Sequence, residues 1–263
     1  MNSVQENATT REDLLRELNL FPLWQLREPE LPAVIDAASR EERADFSSGH
    51  AEVLADAPLP VEIPQQAYDR LGWPELESRV NDCSACELRA GCSQSVFGSG
   101  DLQAEWMFVG SWPSEDDEAQ GVPFAGQAGQ LLDNMLAAIG LRRNSKVYLA
   151  NVVKCCGAIK RGPSADQIAR CMPYLQRQLQ LVQPKLLIVL GHAAATALLG
   201  EDRAWESING KVHQYAFRDA TGNMQEVPMI VTFHPAALLL TPLSKAQVWK
   251  DLRMAQDLMS SSG

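Results

Sequence analysis

Four cysteines, one asparagine and one histidine carry most of the chemistry this sequence can offer. Cys83 and Cys86 form a CxxC pair, and Cys155 and Cys171 follow far downstream, 16 residues apart. Four thiolates can hold zinc or an iron–sulfur cluster, and spacing alone does not separate the two. Buried free thiols that act as small apolar side chains are a third reading. Asn151 stands at the end of an apolar run with Val147, Leu149 and Val152, and His234 begins a His-Pro step after a second run, Met229 to Phe233. An amide can donate and accept hydrogen bonds at once, and an imidazole can do either near neutral pH. Each also has a structural alternative: a turn-forming asparagine, and a histidine that caps a helix or fills a core.

These residues need elements that bring them together. Short apolar runs predict strands at Trp106–Gly110, Val147–Val153, Leu186–Gly191 and Met229–Phe233. Between and after them, helical periodicity predicts helices at Gln127–Ile139, Ala165–Val182, His192–Leu199 and Ala246–Met259, with a short helix leading into Cys83. Alternation of this kind predicts an α/β domain of three αβα layers around a central, mostly parallel sheet. Functional residues of such folds gather at strand carboxyl ends, which is where Gly110, Asn151, Gly191 and His234 fall.

Composition narrows the classes. At 263 residues the chain can build one large domain with an appendage, and no long apolar window predicts a membrane span. An acidic, polar N-terminus is unlike a signal peptide, and six cysteines in such a chain favour metal or cluster ligation over a disulfide framework. The expected compartment is the cytoplasm. Residues 1–82 hold 17 acidic and 7 basic residues and so account for the whole formal charge of −10; the remainder is balanced with 16 of each. An acidic protein attracts a phosphate backbone weakly, leaving local basic patches to do so.

The N-terminal third divides in two. Arg11 to Leu20 sets Leu14, Leu15 and Leu18 on one helical face, followed by Trp24, Leu26 and Arg27 before Pro29. Such a segment either packs on its own domain or docks in a partner's groove, and the second is the expectation for residues 1–32. The pattern R-x-x-L-L-x-x-L…W-x-L-R-x-P resembles the N-terminus of the psi subunit of the bacterial DNA polymerase III clamp loader. That resemblance implies binding to clamp-loader subunits in a bacterial cell. Residues 33–67 are acidic and rich in Ala, Pro and Ser, the composition of an extended, disordered linker, and residues 68–263 form the globular domain.

From Cys83 to Leu252 the chain resembles the family 4 uracil-DNA glycosylases. The motifs run in order: CxxCxL (Cys83–Leu88), VFGxG (Val96–Gly100), GxPFxGxAGQLLxxML (Gly121–Leu136), YxxNVVKC (Tyr148–Cys155), Cys171 in CxPYLxxQ, PKLLIVLG (Pro184–Gly191), HPAALL (His234–Leu239) and WxDL (Trp249–Leu252). The resemblance implies a 4Fe-4S cluster on Cys83, Cys86, Cys155 and Cys171, with Cys92 and Cys156 outside the ligand set. It implies DNA as partner, with Gly110, Phe124 and Asn151 binding the base and His234 donating to the leaving uracil; for Phe124 a plain core position is the alternative.

Two motifs depart from the family. Active members read close to GEAPGxxED, whereas here the order is Gly110, Ser111, Trp112, Pro113, Ser114 and then Glu115 to Glu118. Ser111 occupies the place of a carboxylate, and a hydroxyl is no base near neutral pH without an activating partner. Asp117 and Glu118 keep acidity in the region and are the remaining candidates for positioning water. The loop KCRPPGNR reads KCCGAIKR here, leaving Lys154, Lys160 and Arg161 as its cations, and Leu240 stands where the family often has arginine. From these departures the sequence predicts a non-catalytic replication or repair accessory on the glycosylase scaffold. The alternative is an active enzyme that excises uracil.

Overall fold

The computed structural model describes residues 67–157, 162–219 and 221–261. The expected docking segment 1–32, with Leu14, Leu15, Leu18, Trp24, Leu26 and Arg27, lies outside the described residues, as do Lys160 and Arg161.

Six strands make one sheet in the order β1-β3-β2-β4-β6-β5. The four inner strands, β2 (Trp106–Gly110), β3 (Val147–Asn151), β4 (Leu186–Leu190) and β6 (Met224–Thr232), run parallel. β1 (Ser99–Gly100) and β5 (Val212–Arg218) close the two edges antiparallel. The inner strands are apolar almost throughout because both faces are covered, and their alternate residues enter two separate cores. Met107, Val109, Tyr148, Ala150, Leu187 and Val189 pack on one face with residues of α1 (Trp73–Asn81), α4 (Ala165–Val182) and α5 (His192–Leu199). Phe108, Leu149, Leu186, Ile188 and Ile230 pack on the other with α3 (Gly126–Ala138), α7 (Pro235–Leu240) and α8 (Lys245–Ser261). The expected three-layer α/β architecture is therefore present.

Three helices are too short to show a periodic apolar face. α2 (Glu115–Gln120) carries four acids in its first turn, where the helix dipole favours negative charge. Ser114 caps it: its Oγ accepts from the Asp117 N–H at 3.2 Å while the Asp117 carboxylate accepts from the Ser114 N–H at 3.1 Å. α7 starts at Pro235, whose fixed φ and missing N–H suit the first helical position, directly after His234. α6 (Trp205–Ile208) is a single turn. β5 was hidden for another reason. It is an edge strand with mostly exposed side chains, so its sequence lacks an apolar run.

Candidate functional site: a heterocycle pocket at the strand ends

Gly110 ends β2, Asn151 ends β3, and the two are paired in register. The chain stays coupled past the strand ends, since Val152 N–H donates to the Gly110 carbonyl and Val153 N–H to that of Ser111, both at 2.9 Å. His234 follows β6 across the sheet. The three expected site positions thus converge at the carboxyl edge because four parallel strands share one direction.

Asn151 is 1% exposed, and neither Oδ1 nor Nδ2 has a hydrogen-bond partner among the described residues. A buried amide left unpaired on both sides costs about 1–3 kcal/mol per group, so a turn-forming role does not explain it. Its backbone carbonyl is occupied separately, accepting from Lys154 Nζ at 2.7 Å. Gly110 makes the amide's position possible. A Cβ there would stand 2.3 Å from Asn151 Oδ1 and 2.8 Å from Phe124 Cζ. The amide and the aromatic ring therefore meet across a space that only glycine leaves open.

Phe124 is buried with φ +54°, a left-handed conformation that an aromatic residue adopts only when its surroundings hold it. Two side chains do so. The Arg143 guanidinium donates to the carbonyls of Pro123 (3.0 Å), Phe124 (2.6 Å) and Gly129 (3.3 Å) while its Nε pairs with Asp133 at 2.5 Å. On the other side, Asp117 Oδ1 accepts from the Ala125 N–H at 2.6 Å. Arg143 was not a sequence candidate. Its only signal was a basic residue after a helix, and carbonyl clamping across 14 to 20 residues has no local signature.

Asp117 is buried, and its two carboxylate oxygens are engaged by the Ser114 and Ala125 N–H groups. Glu118 accepts from the N–H and the hydroxyl of Ser93 at 2.7 and 2.6 Å. Burial pushes the Glu118 carboxyl upward, but the Ser93 hydrogen bonds outweigh this and hold it below its usual range. Both acids are thus occupied by donors that shape the loops around the pocket.

His234 caps α7, with Nδ1 accepting from the Ala236 N–H at 3.2 Å. With Nδ1 an acceptor, the neutral ring carries its proton on Nε2, which is left to donate. Burial depresses the His234 pKa, opposed by the negative charge of Asp117, so the ring is neutral at physiological pH. Its centroid lies 5.7 Å from that of Phe124. Capping and donation are compatible roles, because they use different nitrogens.

Ser111 and Trp112 are half-buried and border a groove beside His234. One sequence expectation fails in this region. Lys154 cannot offer charge to DNA, because it is 1% exposed and its ammonium is spent on the Asn151 carbonyl and Gln178 Oε1, each at 2.7 Å. Burial lowers its pKa to about 8, against the pull of the Cys171 thiol.

Cys83, Cys86, Cys155 and Cys171 line one small cavity together with Val80, Tyr174 and Lys154. Cys155 and Cys171 are buried, and burial together with repulsion among the cysteines pushes their thiols up, Cys171 to about 12. Lys154 N–H donates to Cys171 Sγ at 3.3 Å. Such a set is poorly stable as bare thiolates and suited to a positively charged core. Among the described residues no group of three or more His, Cys, Asp or Glu side chains is arranged to hold a metal ion, so the four cysteines share a cavity without a preformed ligand geometry. Cys92 lies beside Cys155 with its Sγ on the Gln94 carbonyl at 3.0 Å, a neighbour that the spacing did not announce.

Fold and site together define a doubly covered α/β domain with an unpaired amide, an aromatic ring and a neutral imidazole at its strand ends. A profile of the uracil DNA glycosylase superfamily matches residues 97–253. The type-4 uracil-DNA glycosylase of Archaeoglobus fulgidus is 34% identical over 188 residues, covering 70% of this chain and 92% of its own length. That of Thermotoga maritima is 32% identical over 200 residues, covering 74% and 100%. A type-5 enzyme from Pyrobaculum aerophilum is 31% identical over 159 residues, covering 49% and 70%. The chain belongs to the uracil-DNA glycosylase superfamily, and the type-4 members are similar to it over nearly their full length. The expectation of a non-catalytic clamp-loader accessory draws no support from these relatives; an active glycosylase fits them better.

Proposed function

We propose that the protein is an active uracil-DNA glycosylase that hydrolyses the N-glycosidic bond of deoxyuridine in DNA. The observation that carries this reading is the buried Asn151 amide with neither polar atom paired, beside a Phe124 ring that lies 5.7 Å from the ring of a neutral His234. Its Nδ2 and Oδ1 match the O4 acceptor and N3–H donor of uracil, while cytosine presents the reverse pattern and leaves both amide groups unpaired. Phe124 stacks on the extruded base.

The reaction needs little from a base. The C1′–N1 bond breaks with its electron pair leaving on uracil, and His234 Nε2–H stabilises the charge that develops on the uracil carbonyl. Water then adds to the sugar cation at C1′, and the proton it releases ends on the departing uracil. Ser111 in place of a carboxylate lowers the rate without removing this path, because stabilising the anion does not depend on it. Asp117 acts by holding the Phe124 loop and by its charge near His234. Leu240 and Leu243, 85% and 95% exposed after His234, would serve as apolar wedges for unstacking DNA.

Cys83, Cys86, Cys155 and Cys171 would hold a 4Fe-4S cluster, which would supply structural cross-linking rather than a step in the reaction. It would tie the segment before β1 to the loop after β3 and to the second turn of α4. The negative charge of such a cluster would offset the buried Lys154 ammonium, whose Nζ donates to the Asn151 carbonyl. The protein is then a cytoplasmic repair enzyme.

The test is incubation of the full-length protein with single-stranded DNA containing one uracil, followed by alkaline cleavage of abasic sites. Strand breaks at uracil that vanish in His234→Ala are expected, and Ser111→Glu should raise the rate. No breaks at a large excess of protein, with the visible absorbance of the cluster intact, would refute the proposal.

A further inference from the structure

The groove beside His234 has a volume of about 590 Å³, within the range of about 300–1,000 Å³ typical of small-molecule sites. Its walls are mainly apolar and unusually aromatic, with Trp112, Trp205 and Phe233 contributing together with His192. The rings are fixed in place. Trp205 meets Phe233 at 5.1 Å and 73°, and His192 at 6.0 Å and 85°, two edge-to-face pairs that hold the indole in one orientation. The indole of Trp112 lies over Gly162, where a Cβ would come 3.5 Å from both Cη2 and Cζ3. With φ +97°, position 162 is one that glycine alone adopts without strain, so the seat beneath the indole is flat.

The groove adjoins the strand-end site, since Ser111 and His234 line it and the His234 ring lies 5.7 Å from that of Phe124. A strand that delivers one base to Asn151 must lay its neighbours at this mouth. The attraction available to hold that strand is limited: residues 83–263 carry no net formal charge, and Lys154 is buried. Stacking supplies affinity that does not depend on charge, and every base offers a π face to it.

We propose that the Trp112–Trp205 groove is a subsite for the nucleobase next to the extruded one in single-stranded DNA. This rests on the glycosylase reading. Trp112 is the main platform, because it follows Gly110 and Ser111 directly in the chain and lines the groove beside His234, and Trp205 forms a second wall. Binding through this subsite favours strands whose flanking base is already unstacked, and so favours single-stranded over duplex substrate.

The test uses two single-stranded oligonucleotides containing 2′-fluorodeoxyuridine, which resists cleavage, with 2-aminopurine immediately 5′ of it in one and 3′ in the other. With wild-type protein, one of the two should show quenched 2-aminopurine fluorescence on binding. Trp112→Leu should lose the quenching and weaken binding by about 5- to 100-fold, the size of one stacked base, while Trp112→Phe retains most of both. If Trp112→Leu does not fold, Trp205→Leu takes its place in the comparison. Absence of quenching at both positions, or Trp112→Leu that quenches and binds like wild type, would overturn the subsite. Release of uracil is measured separately on ordinary deoxyuridine. Release without flanking quenching removes the subsite and keeps the glycosylase, whereas quenching without release keeps the subsite and removes the catalytic reading.

Discussion

Asn151→Leu should make the protein more stable and much less active. Asparagine and leucine branch at the same atom, so leucine follows the outline of the amide into the space that Gly110 leaves, its bulkier methyl groups fitting more tightly against Phe124. In the wild type both polar atoms of the amide are buried without partners. At about 1–3 kcal/mol each, exchanging them for methyl groups returns roughly 2 kcal/mol once the tight fit against Phe124 is allowed for. A gain of that size corresponds to a rise in Tm of about 4–8 °C for a domain of ~150–250 residues. The catalytic loss comes from two hydrogen bonds to uracil, at about 1.5–3 kcal/mol each where the site is dry, which is a fall in kcat/KM of ~10²–10⁴. Thermal or urea unfolding of the free protein gives the first quantity, and uracil release under single-turnover conditions the second. A destabilised Asn151→Leu would mean that the amide is paired after all in the free protein. Activity within tenfold of wild type would mean that Asn151 does not read the base.

Three further outcomes follow from the same geometry. Arg143→Ala removes donors from three carbonyls and frees Phe124 from its φ of +54°, so kcat should fall by about 10- to 100-fold with KM changing less, while Arg143→Lys restores only part because a point charge cannot serve all three. Protonating His234 at Nδ1 removes the acceptor for the Ala236 N–H, and its folded pKa lies below the unfolded value of about 6.5; stability and kcat should therefore hold above that pH and decline as pH falls toward the depressed pKa, and a pH profile of His234→Gln should lack this step. Cys155→Ser should lose visible absorbance and iron together with soluble yield, whereas Cys92→Ser should keep the absorbance although its thiol lies beside Cys155; equal loss from both would extend the ligand set.

The α/β alternation, the grouping of Cys83, Cys86, Cys155 and Cys171, and the positions of Gly110, Asn151 and His234 at strand ends were legible in the sequence alone. Those properties are written in local pattern: an apolar run with a polar terminus, a fixed cysteine spacing, a His-Pro step. Tertiary structure decided what each neighbour is free to do. Asp117 and Lys154 look available as acid and cation when read along the chain, yet folding gives Asp117 to two backbone N–H groups and Lys154 to a carbonyl and an amide. Arg143 carries no motif, but it becomes the clamp on Phe124 because α3 and the turn after it bring positions 123 to 143 together. The loss of a carboxylate at Ser111 suggested a dead site in one dimension. In three dimensions the amide, ring and imidazole on which the proposed chemistry depends stand together, because they come from three separate segments that only the sheet brings to one edge.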